Sequence, residues 1–92
     1  MNVIIAFAMD NGQMSPHFGH CQDFLLITIE ANQVVARKQV ANPGHRPNFL
    51  LPFLVNLGVK VMIADGIGQK AVDLFSFHDI AVISGAKGDV ND

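Results

Sequence analysis

Ninety-two residues with a formal net charge of −2 make one small domain, and its six cations (Arg37, Lys38, Arg46, Lys60, Lys70 and Lys87) are too scattered to form the basic stripe that a nucleic-acid backbone needs. Half of the residues are apolar, so the chain is a folder and not a disordered segment, yet no apolar run approaches the roughly 20 residues that span a bilayer. A single cysteine, Cys21, excludes an intrachain disulfide and fits a reducing, cytoplasmic compartment.

Residues 3 to 8, Val-Ile-Ile-Ala-Phe-Ala, form a continuous apolar run, the pattern of a strand covered on both faces. No basic start or small-residue cleavage site accompanies it, so it reads as a first strand and not as a signal peptide. Met9 to Met14, with Asp10, Asn11 and Gly12, reads as a polar loop. In Ser15-Pro16, serine at an N-cap and proline at the first helical position predict a helical turn from His17 to about Gln22. Phe24 to Glu30 is rich in β-formers and Val34 to Val40 alternates loosely. The turn Ala31-Asn32-Gln33 joins them into an antiparallel hairpin. Asn42 to Pro47 is a loop by its turn residues. Phe49 to Leu57 predicts a helix with Pro52 in its first turn, where the missing N–H has no intrahelical partner, and Gly58 closes it. Val59 to Ala64 is a buried strand, Gly68 to Phe77 a second helix, and Ile80 to Ile83 a short strand. The tail from Gly85 to Asp92 is polar. Asp89 could cap a further helix there, and the chain is expected to lack its natural end.

The first half of this order demands a hairpin and the second half a crossover repeat with parallel strands. The expected sum is α/β: one mixed five-stranded sheet with flanking helices, a single domain over residues 1–92.

Chemistry concentrates in Ser15-Pro16-His17-Phe18-Gly19-His20-Cys21. In a helical turn, His17, His20 and Cys21, at i, i+3 and i+4, share one face. Imidazole and thiolate suit iron, zinc, copper or iron–sulfur species, and three donors leave a tetrahedral shell open to exchange. The plain alternative makes Cys21 a small core residue and the imidazoles ordinary loop residues. His45, in the Pro43–Pro47 loop, could face the His17 loop and add a donor, or be solvated. His78 is accounted for by a helix C-terminus. Asp65-Gly66-Ile67-Gly68-Gln69-Lys70-Ala71 fits the loose pattern G-x-G-x-x-[GA] between a strand and a helix, which offers bare amides to an anion. It comes too late in the chain for a dinucleotide fold, so it is either a generic anion cradle or a tight turn. Asp10 and Asp65 follow predicted parallel strands and would be the carboxylates of a divalent-metal phosphoesterase, but the first helix supplies no acid to complete such a site. No Ser–His–Asp or nucleophile-elbow pattern occurs, and the chain is not expected to be an enzyme.

Taken together, several segments resemble one family. Ser15-Pro16-His17-Phe18-Gly19 after a first strand is similar to its SPHFG signature. Phe24-Leu25-Leu26 with the hairpin, Asn42-Pro43 through Phe49-Leu50, Leu57-Gly58-Val59 and Asp65-Gly66-Ile67-Gly68 follow in its order. The family is the dinitrogenase iron–molybdenum cofactor biosynthesis group, the NifX-like accessory proteins and their stand-alone relatives, and the likeness runs from Met1 to about Gly88. It implies a ribonuclease H-like sheet without nuclease carboxylates, and binding or carriage of an iron–sulfur-type metallocluster. The cluster, of iron–sulfur or iron–molybdenum type, would pass between donor and acceptor proteins, and the sequence leaves a homodimer open. From the residues themselves the expected cofactor site is Ser15, His17, Phe18, Gly19, Asp65, Gly66 and Gly68, with His17 and Cys21 as ligands and His20 and His45 in support; the family's matching motif stops at Gly19, so the likeness does not reach His20 and Cys21. Asp65 departs from the family, which usually has glycine there, and would be a repelling charge, a hard ligand or a cap for the following helix. The family's closing helix is expected to be missing or cut off. A non-catalytic regulatory module working with a partner ATPase is the alternative reading.

Overall fold

A computed structural model describes residues 2–44 and 47–85. Strand β1 (Asn2–Asp10) is the axis of the molecule and meets three partners. Asn11 and Gly12, both at positive φ (52° and 83°), turn the chain straight back into β2 (Gln13–Met14), with Met9 opposite Met14. β3 (Asp23–Glu30) lies antiparallel on β1, Val3 facing Ile29 and Phe7 facing Leu25. β4 (Gln33–Ala41) returns along β3. Glu30 faces Gln33, so the hairpin turn is only Ala31-Asn32, with φ of 52° and 64°. These are the mirror-image turns that match the right-handed twist of paired strands. Helix α1 (Pro47–Asn56), β5 (Val59–Ile63), α2 (Gln69–Phe77) and β6 (Ala81–Ile83) follow, with β5 parallel to β1 and β6 parallel to β5.

The sheet order is β4-β3-β1-β5-β6, with β2 paired to β1. Six strands therefore stand among the described residues where five were expected. The sixth is β2, in the segment that had read as a loop. Asn11-Gly12 is the strongest two-residue hairpin signal in the chain, and its flanking strand is too short to show periodicity.

Helix α1 starts at Pro47, not near Phe49. Proline's fixed φ suits the first helical position, so Pro47 takes the start and Pro52 falls in the helix interior. There Pro52 leaves the Asn48 carbonyl without its i+4 donor, at a cost of about 3 kcal/mol in a regular helix. Gly58, at φ 83°, ends the helix with its N–H donated to the Val55 carbonyl at 3.0 Å.

Register sorts the sheet into two faces. Ala6 and Ala8 of β1 stand with Leu26 and Phe24 of β3 and Met62 of β5, and all are buried beneath Leu50 and Leu54 of α1 and Phe75 of α2. The opposite face holds Val3, Ile5, Phe7, Leu25, Ile27, Ile29, Val61 and Ile63, each half-buried. β1 had been expected to be covered on both faces; among the described residues the buried core lies on one. The run Val3–Ala8 is apolar throughout, but only its alternate residues reach that core.

Candidate functional site

β1 and β5 are parallel, so the loops that follow them leave the sheet at the same end, where open α/β sheets place their ligands. The loop after β1 is built by Ser15. Its N–H donates to the Ala8 carbonyl at 2.8 Å. Its hydroxyl donates to the His17 carbonyl at 3.1 Å and accepts from the His17 N–H at 3.2 Å. Ser15 is fully buried, so within the expected site it shapes the loop and presents nothing to a ligand. The loop after β5 is fastened to it by the Phe18 N–H, which donates to the Gly66 carbonyl at 2.8 Å. Gly66 is required by this contact, because a Cβ there would run into the Pro16 carbonyl oxygen. Phe18 wedges the joint, its ring edge-on to Phe75 at 5.3 Å and tilted against Phe24 at 6.0 Å.

The two loops and the two helices enclose a cavity of about 590 Å³. One wall is Pro16 to His20, another is Gly66 to Gly68, α1 contributes Leu50 and Leu51, and α2 contributes Lys70, Ala71, Leu74 and Phe75. The lining is mostly apolar. Its polar members are the exposed imidazoles of His17 and His20, the Lys70 ammonium, and the amides where α2 begins after Gly68. Such a cavity suits an anion with a bulky, weakly hydrated body: charge meets Lys70 and the helix N-terminus, and the body meets aliphatic walls.

Several expected ligands stand elsewhere. The helical turn from His17 to Gln22 is only a 3-10 turn, Phe18–His20, flanked by extended residues His17 (φ −137°, ψ 108°) and Cys21 (φ −67°, ψ 154°). The common face of His17, His20 and Cys21 therefore does not form. His17 and His20 both line the cavity, whereas Cys21 turns into the core at 2% exposure and is not part of the cavity wall. Burial is the main cause that pushes its thiol up to about 11, with the Asp10 charge adding to it, so the thiolate a metal needs is disfavoured. Asn42 holds this segment, its Nδ2 donating to the Cys21 carbonyl at 2.8 Å and lying 3.8 Å from Sγ.

Asp65 is half-buried and off the cavity wall, and its carbonyl accepts from the Gly85 N–H at 2.9 Å. It does not cap α2, whose N-cap, Gly68, receives no side-chain bond. Asp10 spends a carboxylate oxygen on the Gln22 N–H at 2.8 Å. No group of three or more His, Cys, Asp or Glu side chains able to hold a metal ion is gathered among the described residues. His45 lies outside them. Phe18, Gly19, Gly66 and Gly68 all line the cavity. Sequence reasoning missed Lys70 and the apolar walls. Ala71, Leu74 and Phe75 follow the i, i+3, i+4 stripe of α2, a pattern that marks a buried face without separating core from cavity.

Comparison with known proteins gives one family. The family described as dinitrogenase iron-molybdenum cofactor matches residues 1–92. An uncharacterized protein of Methanocaldococcus jannaschii is 30% identical over 76 residues, which are 77% of this chain and 64% of that protein's length. The crystal structure of the protein PH0822 superposes with a TM-score of 0.90 at 27% identity, covering 98% of this chain and 83% of that one. A crystal structure of an M. jannaschii protein provisionally named a dinitrogenase gives 0.77 at 26% identity, covering 100% and 83%.

Proposed function

This chain belongs to the dinitrogenase iron–molybdenum cofactor family, and from that premise we propose that it binds an iron–sulfur-type metallocluster between the His17 loop and the Gly66 turn and carries it from a donor to an acceptor protein. The observation that supports this reading is the 2.8 Å bond from the Phe18 N–H to the Gly66 carbonyl, which joins the loop of His17 and His20 to the Gly66–Gly68 turn along one cavity. The volume of about 590 Å³ falls in the range of small-molecule sites, about 300–1,000 Å³, far more than one metal ion needs.

The donor set fits such a cargo. Metallosulfur clusters are usually anionic with soft sulfide surfaces. The amides of Gly66 to Gly68 and the Lys70 ammonium meet the charge, and Leu50, Leu51 and Leu74 meet the sulfides. His17 and His20 supply the ligating nitrogens in this reading, and Cys21 does not ligate. One or two protein ligands hold a cluster weakly enough to release it, as a carrier must. The role is that of an accessory in cofactor assembly, in the cytoplasm and without catalysis of its own. We read the sheet order as ribonuclease H-like.

The test is anaerobic incubation with a thiolate-ligated iron–sulfur cluster, followed by gel filtration. With no Trp or Tyr in the chain, absorbance that travels with the protein above the phenylalanine band belongs to the cargo. A His17→Ala/His20→Ala variant is expected to lose at least about tenfold in cluster affinity, the loss of a ligand bond. Cys21→Ala is expected to load normally. Full loading of the double histidine variant would reject the ligand assignment.

A further inference from the structure

Asn11-Gly12 is the one step in the chain where an asparagine precedes a glycine. After every other asparagine stands a residue whose own side chain crowds its nitrogen. The pair forms the tip of the β1–β2 hairpin, and both residues are exposed. The ladder ends at Asp10 opposite Gln13, so the Gly12 nitrogen lies beyond it. A side chain built on Gly12 would meet nothing within 4 Å. On the return side, the strand that holds the turn shut is only the two residues Gln13–Met14. Short exposed tips of this kind open locally at small cost in free energy. Asparagine is also among the chemically labile side chains.

We propose that Asn11 is a site of spontaneous backbone rearrangement, converted through a cyclic imide to aspartate and isoaspartate. When the turn opens, the Gly12 nitrogen bonds to Asn11 Cγ. The side-chain amide leaves as ammonia and takes the Gly12 proton with it. Water then opens the ring. Cleavage of the bond from nitrogen to Cγ gives aspartate in the ordinary backbone. Cleavage of the other C–N bond gives isoaspartate, in which the chain runs on through Cγ. One water is taken up and one ammonia released, so no oxidant or cofactor enters. Asp65-Gly66 presents the same backbone atoms without the same freedom. Its side-chain acid is a poorer electrophile than an amide, and Gly66 is held between the Pro16 carbonyl and the Phe18 N–H. The rearrangement at Asn11 reaches the cavity. Isoaspartate adds one backbone carbon to a turn that register limits to two residues, so Asp10 no longer meets Gln13. The next tie along the same pair of strands is the Ser15 N–H on the Ala8 carbonyl at 2.8 Å, which anchors the loop that carries His17. The aspartate product keeps the turn, because aspartate tolerates positive φ as asparagine does.

The test is to age the full folded chain for days at neutral and at mildly alkaline pH and to map its peptides by mass spectrometry. The mass gain of an amide-to-acid change should appear at Asn11. Asn32, also at positive φ in an exposed hairpin turn, is the internal control and should stay an amide. The rate should rise with pH, because the attacking nitrogen must lose its proton. A protein isoaspartyl methyltransferase with S-adenosylmethionine should label the Asn11 peptide. In the isoaspartyl form, separated by ion exchange, hydrogen exchange at the Ser15 amide should quicken at least about tenfold while the Met62 amide in the core strand keeps its rate. Conversion at Asn11 no faster than at Asn32 overturns the proposal, and so does an aged Asn11 peptide that the methyltransferase leaves unlabelled. Unchanged Ser15 exchange in the isoaspartyl form overturns the link from the turn to the cavity loop.

Discussion

Gly66 is where the site is most sensitive to a single carbon atom. The Pro16 carbonyl sits where a side chain would begin, and both neighbours in this contact are backbone, which cannot swing aside. Gly66→Ala is therefore expected to push the loops apart, costing roughly 1–3 kcal/mol of stability as an overpacked contact does. Cluster loading should fall with it. Gly68→Ala is the control. Open space surrounds that position, so the loops stay joined and calorimetry should show the smaller drop. Cys21 makes the contrasting case of a residue whose chemistry is suppressed by its place. Its thiol titrates near 11 in the folded chain, against 9.0 for the ordinary value. A raised value means that folding favours the protonated form, so the stability it contributes is complete below pH 9.0 and is lost as pH rises through about 11. Urea unfolding across that window should show a decline that Cys21→Ala flattens. Thiol reagents should leave Cys21 unmodified until the chain unfolds.

At the level of elements, the hairpins carry strain that can be measured. Ala31 holds a left-handed backbone at φ 52° in the β3–β4 turn, a conformation that costs an L-residue roughly 1–2 kcal/mol. Ala31→Gly relieves it at some cost in chain entropy, and a net gain of about 0.5–1 kcal/mol is expected in the urea midpoint with the slope unchanged. The turn itself was legible as Ala31-Asn32-Gln33, but its two-residue length follows from register, which alternation alone does not specify. The same limit hid β2, where two residues per strand give no period to count. The start of α1 was misplaced because two prolines competed for the first turn. Their order along the chain gives that place to Pro47 and leaves Pro52 with the unfavourable one.

At the level of the molecule, the α/β class, the hairpin, the crossover repeat and the meeting of the His17 and Gly66 loops could all be read from the residues. Two parallel strands ending at one edge are enough to bring their following loops together. For Cys21 the plain alternative, a small core residue, is the one the structure has: i, i+4 spacing joins side chains only if the turn is a full helix, and Gly19 and the extended Cys21 prevent that. The cavity was not legible: Leu50, Leu74 and Phe75 have the pattern of core residues, and whether they meet protein or empty space depends on how α1 and α2 splay.

The walls of the cavity come from three separated stretches of the sequence, Pro16 to His20, Leu50 and Leu51 of α1, and Gly66 to Phe75, with the β3–β4 hairpin between the first two. A nascent chain emerging from the ribosome has its histidines and can pair β3 with β4 long before any amide of the last stretch exists. Completion of the cavity is thereby tied to completion of the parallel half of the sheet.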